Sequence, residues 1–283
     1  MGSILQIAFK IFLLHLLLYA HNGNGGATTN PIAEENANVL KLPNMHRNNN
    51  HMMHHLDPSS LVFFTPNDLK LGKKLPIYFP MKDPPPLLSK NEANSIPFSY
   101  THLPHLLRLF SFSPDSPQAK SMENTLKQCE IDPIKGETKV CATSLESTID
   151  FVHKTFGLET QFRVLQTNHI EKSGVNLDNY TILSEPEEIR VPNMVACHTL
   201  PYPYRVFYCH SQKSENKLFM VSLGGDNGGR VEAVSVCHMD TSQWSKDHAS
   251  FRVLETKPGA SPVCHFFRAD VLVYVPLPSL TST

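Results

Sequence analysis

Almost no net charge separates the 25 basic from the 26 acidic side chains of this 283-residue chain, and it holds a single tryptophan. A balance of -1 creates no field that would gather nucleic acid or an anionic membrane surface, so charge names no polyanionic partner. Apolar runs are short as well. Beyond the N-terminus none reaches 18 residues, below the length of about 20 that a membrane-spanning helix needs. No Ser-His-Asp order, paired-carboxylate motif or phosphate-cradling loop stands out, which leaves hydrolase and kinase chemistry without a sequence signal. The glycine cluster Gly224-Gly225-Asp226-Asn227-Gly228-Gly229 leads into a strand pattern, not a helix N-terminus, and reads as a hairpin turn.

What is present begins with Lys10 followed by Ile11, Phe12, Leu13, Leu14, His15, Leu16, Leu17, Leu18, Tyr19 and Ala20, then an abrupt polar, glycine-rich stretch. This is the pattern of a secretory signal peptide over 1–20, too short to span a bilayer. Residues 21–58 are rich in Asn, His, Gly and Pro with few large apolar groups, and cannot repay the entropy of folding. They read as a flexible, disordered leader. Its cluster His46, His51, Met52, Met53, His54 and His55 has the donors that suit copper, although a solvated histidine-rich linker accounts for it more simply. The secretory route leads to an oxidising compartment, where the six cysteines are expected to pair, and where the sequon at Asn179 becomes a glycosylation candidate on an exposed segment. Cell wall, extracellular space and vacuole are equally open, with no membrane attachment after signal removal.

The folded part is expected over 59–283. Leu61 to Phe64 reads as a first strand or an anchor, and Leu75 to Phe79 as another apolar segment. Frequent proline makes the stretch between Met81 and Pro117 loop-rich, with a short helix near 105–110. Helices are predicted at 119–129 and 143–156. The second carries Leu145, Ile149, Val152 and Phe156 on one face, with Thr143 and Glu146 as a capping box and Gly157 after the last turn. Cys129 and Cys141 bracket the connection, and a disulfide joining the two helices is expected. From Asn179 onward, short β-branched and aromatic runs predict strands at 194–198, 205–210, 217–223, 230–238, 249–254 and 263–275. The fold class is α+β: a β-rich antiparallel sheet or barrel with a small disulfide-linked helical part.

Four times Cys stands directly before His: Cys197-His198, Cys209-His210, Cys237-His238 and Cys264-His265. Successive side chains on a strand leave on opposite faces, so the two members of one pair cannot readily share a metal. Two ligand sets are the simpler outcome, with cysteines forming disulfides on one side and histidines converging on copper or another borderline ion on the other. A tetrathiolate zinc site competes, and so does a purely structural role for each histidine. Four cysteines allow three pairings, and the pairing stays open.

Intervals of ten, twenty-six and twenty-five residues separate these pairs. With Phe63-Phe64, the context Tyr202-Pro203-Tyr204-Arg205-Val206-Phe207-Tyr208 before Cys209, Trp244, and Pro262-Val263 before Cys264, the chain resembles the plant BURP-domain family. A short leader without repeats makes it most similar to the unknown seed protein subfamily. The resemblance implies His198, His210, His238 and His265 as copper ligands, and a copper-dependent cyclase that cross-links Tyr or Trp in a ribosomally made peptide. It equally implies the alternative of a non-catalytic seed, vacuolar or cell-wall protein of development or stress response. The stretch from His21 to Leu61 has neither Tyr nor Trp, so any precursor peptide is expected to be a separate chain.

Overall fold

Alternating apolar and polar residues over the second half of the chain build two antiparallel sheets, described in a computed structural model over residues 61–80 and 83–278. The described residues all belong to one unit, Asp57–Thr283. The expected signal segment 1–20 and leader 21–58, with its His-Met cluster, lie outside the described residues.

The eight-stranded sheet runs β1 (Phe63–Phe64), β12 (Val263–Phe266), β11 (Arg230–His238), β10 (Asn216–Gly225), β6 (Leu177–Ile182), β2 (Lys74–Tyr78), with β5 (Asn168–Glu171) on β11 and β7 (Glu187–Ile189) on β10. The five-stranded sheet runs β3 (Glu137–Ala142), β9 (Val206–Gln212), β8 (Val195–Leu200), β13 (Leu272–Pro276), β4 (Phe162–Leu165). Leu218, Val234 and Val236 of the first sheet pack with Ala196, Val273 and Val275 of the second, forming one shared core. Behind the second sheet, Val195, Cys197, Phe207 and Cys209 pack against Phe151 and Val152 of a helix. Behind the first, Phe64, Phe79, Tyr180, Cys237, Cys264 and Phe266 make a separate cluster. The antiparallel, β-rich architecture of the sequence reading is therefore present, as two packed sheets.

The helices are α1 (Lys90–Asn94), α2 (Leu103–Leu109), α3 (Pro117–Glu130), α4 (Leu145–Phe156) and α5 (Ala249–Val253). Several elements depart from expectation. The cap of α4 is Ser144, which accepts from Ser147 N–H, and not Thr143; Glu146 accepts instead from Lys90 N–H. Cys129 bonds Cys141 across 5.7 Å between Cα atoms, and because β3 lies between the helices the bridge ties α3 to a strand, not to α4. Residues 249–253 form α5 where a strand was predicted, because the His248 ring accepts from Ser250 N–H and caps a helical turn. The predicted strand 263–275 is two strands, interrupted where Val271 N–H bonds back to the Arg268 carbonyl. Asn179 is half-buried in β6 opposite Pro76 of β2, not on an exposed segment.

The glycine cluster does form the hairpin between β10 and β11. Asp178 secures its tip by accepting from Asn227 N–H at 3.0 Å and Asn227 Nδ2 at 2.9 Å. The left-handed φ of 82° at Gly228 explains a glycine there. Among the described residues no helix is long and apolar enough to cross a membrane.

Candidate functional site

In the five-stranded sheet Cys197 stands directly opposite Cys209, and in the eight-stranded sheet Cys237 stands directly opposite Cys264. Each opposed pair is a disulfide, Cys197–Cys209 and Cys237–Cys264, with Cα atoms 3.9 Å apart in both. This is one of the three pairings left open by the sequence. The residue after each cysteine leaves on the other face of its sheet, and antiparallel pairing makes the two histidines diagonal neighbours there. The sulfurs thus lie in the two outer cores while the imidazoles turn toward the space between the sheets.

His198 and His210 approach to 3.3 Å between Nε2 atoms, and His238 and His265 to 3.4 Å. The rings of His198 and His265 are 6.2 Å apart across the sheets, with Phe267 packed against both at 5.5 and 4.8 Å. All four line one narrow cleft of about 10 Å³, roughly the room one water molecule needs. As positioned they are two pairs: among the described residues no set of three or more His, Cys, Asp or Glu side chains is gathered closely enough to hold a metal ion.

Partners on the far side of the rings decide which nitrogen carries the proton. His210 Nδ1 lies 2.9 Å from Glu137 Oε1, an acceptor, so Nδ1–H donates and Nε2 keeps its lone pair. His238 Nδ1 lies 2.7 Å from Asn216 Oδ1, and the Asn216 amide orientation is fixed because its Nδ2 donates to the Ser214 carbonyl at 2.8 Å. His265 Nδ1 faces the Phe266 carbonyl at a longer 3.4 Å. These contacts give His210, His238 and His265 the tautomer in which Nε2 faces the cleft as a lone pair. In the His238–His265 pair, two lone pairs then face each other, a repulsion that a bound metal cation would relieve.

Burial favours the neutral form of three of the rings. It lowers His198 and His238 well below the ordinary imidazole value, with neighbouring histidines adding repulsion, and it brings His265 down to about 4. Burial raises the Glu137 carboxyl, but the hydrogen bond from His210, with those from Ile134 N–H and the Tyr208 hydroxyl, outweighs it and holds Glu137 below its ordinary value. Neutral imidazole is the form that ligates a metal.

Sequence reasoning singled out the four histidines, and the structure brings them to one cleft. It missed Glu137 and Asn216, which orient two of them. Glu137 sits on β3, a strand the sequence did not suggest. Asn216 is opposite His238 in the β10–β11 register, so the hairpin pairing alone would have found it. Trp244 packs on His238 with ring centres 4.9 Å apart, at the rim of the site.

Comparison with known proteins follows the same lines. The BURP domain profile matches residues 62–276. The chain is 46% identical over 227 residues to the BURP domain-containing protein BNM2A of Brassica napus, covering 77% of this chain and 80% of that protein. It is 46% identical over 227 residues to the BURP domain protein USPL1 of Arabidopsis thaliana, covering 77% and 81%. Identity to the BURP domain protein RD22 of Arabidopsis thaliana is 36% over 225 residues, covering 78% and 57%. This chain belongs to the BURP-domain family.

Proposed function

We propose that this BURP-domain protein binds copper through His198, His210, His238 and His265, and oxidatively cross-links a Tyr- or Trp-containing peptide supplied as a separate chain. The observation that carries the reading is the convergence of four imidazoles, three of them with Nδ1 held by an oxygen acceptor and Nε2 aimed into one cleft. Nitrogens held about 2.0–2.1 Å from a tetrahedral centre are roughly 3.3–3.4 Å apart, and both pairs have that separation, 3.3 and 3.4 Å. Imidazole donors suit copper among borderline ions. Drawing both pairs onto one ion requires the two sheets' histidines to close further than they stand.

Copper bound there would supply one-electron oxidation of an aromatic ring. The chain's own part is to hold the ligands: Glu137 fixes His210 through Nδ1, Asn216 fixes His238, and Phe267 keeps the space between the sheets apolar. Cross-linking removes two hydrogen atoms from the peptide, so an external two-electron oxidant such as dioxygen completes the balance. Three disulfides among the described residues suit an oxidising, secretory compartment, and the wall or vacuole is the destination in keeping with that route.

The alternative is a non-catalytic seed, vacuolar or cell-wall protein. One observation favours it: as positioned, the histidines form two pairs and no set of three ligands, an arrangement that serves as interior packing between sheets. The test is to incubate copper-loaded, aerated protein with tyrosine- and tryptophan-containing precursor peptides and follow their mass. Loss of two hydrogens, dependent on added copper, supports the enzyme. Unchanged peptides with fully copper-loaded protein favour the structural role.

A further inference from the structure

We propose that the groove beside the four imidazoles is a subsite for an extended acidic peptide, and that the side-chain oxygen of Gln212 accepts one of that peptide's N–H groups. The inference rests on the reading of the site as one that acts on a peptide. It is carried by three features that the histidine cluster does not explain.

The first is space. Next to the cleft lies a groove of about 780 Å³, lined by β3, α4, the segment 191–194 and the turn between β9 and β10. That lies within the ~300–1,000 Å³ range of ligand sites. It shares Met194, Ser211, Gln212 and Asn216 with the histidine cleft, so an occupant of the groove reaches the imidazoles. A smaller hollow of about 280 Å³, lined in part by Trp244, shares Gly136, Gln212 and Ser214 with the groove.

The second is Gln212, which borders all three spaces. It is the last residue of β9, two positions beyond His210, and so leaves the strand on the same face as that ligand candidate. Its Oε1 is buried and meets no hydrogen-bond donor among the described residues. A buried carbonyl oxygen left unmatched costs about 1–3 kcal/mol, and an amide N–H from a bound chain would satisfy it.

The third is charge. Lys154 and Lys213 line the groove and make no ion pair among the described residues, whereas Lys139 is committed to the Gln128 carbonyl. Of the groove's two carboxylates, Glu137 is held by His210, which leaves Glu215 against two free ammonium groups. A ligand bringing carboxylates along the Lys154 and Lys213 side complements this lining.

The experiment uses the full-length secreted protein, with EDTA and again with copper, and a fluorescein-labelled hexapeptide carrying one tyrosine and three glutamates. The same peptide with lysines for glutamates is the comparison. Wild type is expected to bind the acidic peptide more tightly than the basic one, in both metal states. Gln212→Leu is expected to weaken binding about tenfold, the loss that follows one missing hydrogen bond. Lys154→Glu with Lys213→Glu, both at exposed positions, is expected to weaken it roughly tenfold at low salt and less at high salt. Equal binding of the two peptides, or wild-type binding by both variants, overturns the proposal. Displacement of the acidic peptide by a synthetic leader covering 21–58 reassigns the groove to the chain's own leader and overturns it too. Copper is measured in the same samples. Bound copper without peptide binding defeats this inference alone, and peptide binding without copper defeats the copper reading alone.

Discussion

A histidine that follows a cysteine on a strand is placed by its neighbour: the disulfide fixes the backbone of both strands, and the alternation of side chains sends the ring to the far face. The ring's final angle comes from elsewhere in the chain. For His210 it comes from Glu137, 73 residues upstream. Replacing that carboxylate by an amide, Glu137→Gln, leaves a neighbour able to donate to Nδ1 and so to reverse the tautomer. Copper affinity is expected to fall about 10–100-fold, the usual range for loss of such an orienting partner, with thermal stability little changed. Competition titration against a copper chelator measures this, and an unchanged affinity would remove Glu137 from the site. Acid sensitivity belongs to the same residues. Burial depresses His198, His238 and His265 in the folded state, the last to about 4, while in the unfolded chain each titrates near ~6.5. The unfolded chain therefore takes up protons first. Metal-free protein is expected to lose stability as pH falls from about 6.5 toward 4, with the His265 contribution exhausted below its folded value. Urea midpoints across that range decide it; a flat profile between pH 7 and 4 would contradict the neutral, buried rings.

Elements were legible where pattern and local chemistry agreed. The hairpin at 224–229 was visible because glycine, asparagine and aspartate cluster between two β-branched runs. The helix 145–156 was visible from its apolar spacing, although the face it buries carries Thr148, Phe151 and Val152, and Leu145 of the expected stripe is exposed. Misreadings fall where a contact distant in sequence, or a rarer cap, decides the outcome. Phe251, Val253 and Leu254 suggested a strand, but a histidine ring caps the turn and makes a helix. β3 was hidden between two helices and owes its existence to pairing with β9, whose residues lie about 70 positions later. The hairpin also yields a prediction of its own. A Cβ at Gly225 would come within 2.5 Å of Asp178 Oδ2, the carboxylate that holds the Asn227 backbone. Gly225→Ala is expected to destabilise by about 1–3 kcal/mol, the usual cost of overpacking. An unchanged urea unfolding midpoint for that variant would show that Asp178 is not the anchor of the tip.

At the scale of the molecule, the site exists because two sheets each contribute one Cys-His double pair and pack so that the histidine faces meet. Sequence spacing announced four equivalent dipeptides. It could not say which cysteines pair, because pairing follows strand register, and register follows from β8 and β9 being adjacent in one sheet and β11 and β12 in the other. Nor could it show the groove, which gathers residues from β3, α4 and the β9–β10 turn, or the orphaned oxygen of Gln212 within it. Family membership agrees with the frame but leaves open what the cleft holds. That question has a direct answer in metal analysis of the natively folded protein and of variants with His198, His210, His238 or His265 changed to Ala. Copper in the wild type, lost from each variant that still folds, is the predicted result; a folded wild type that takes up no copper when it is offered would contradict the account at its centre.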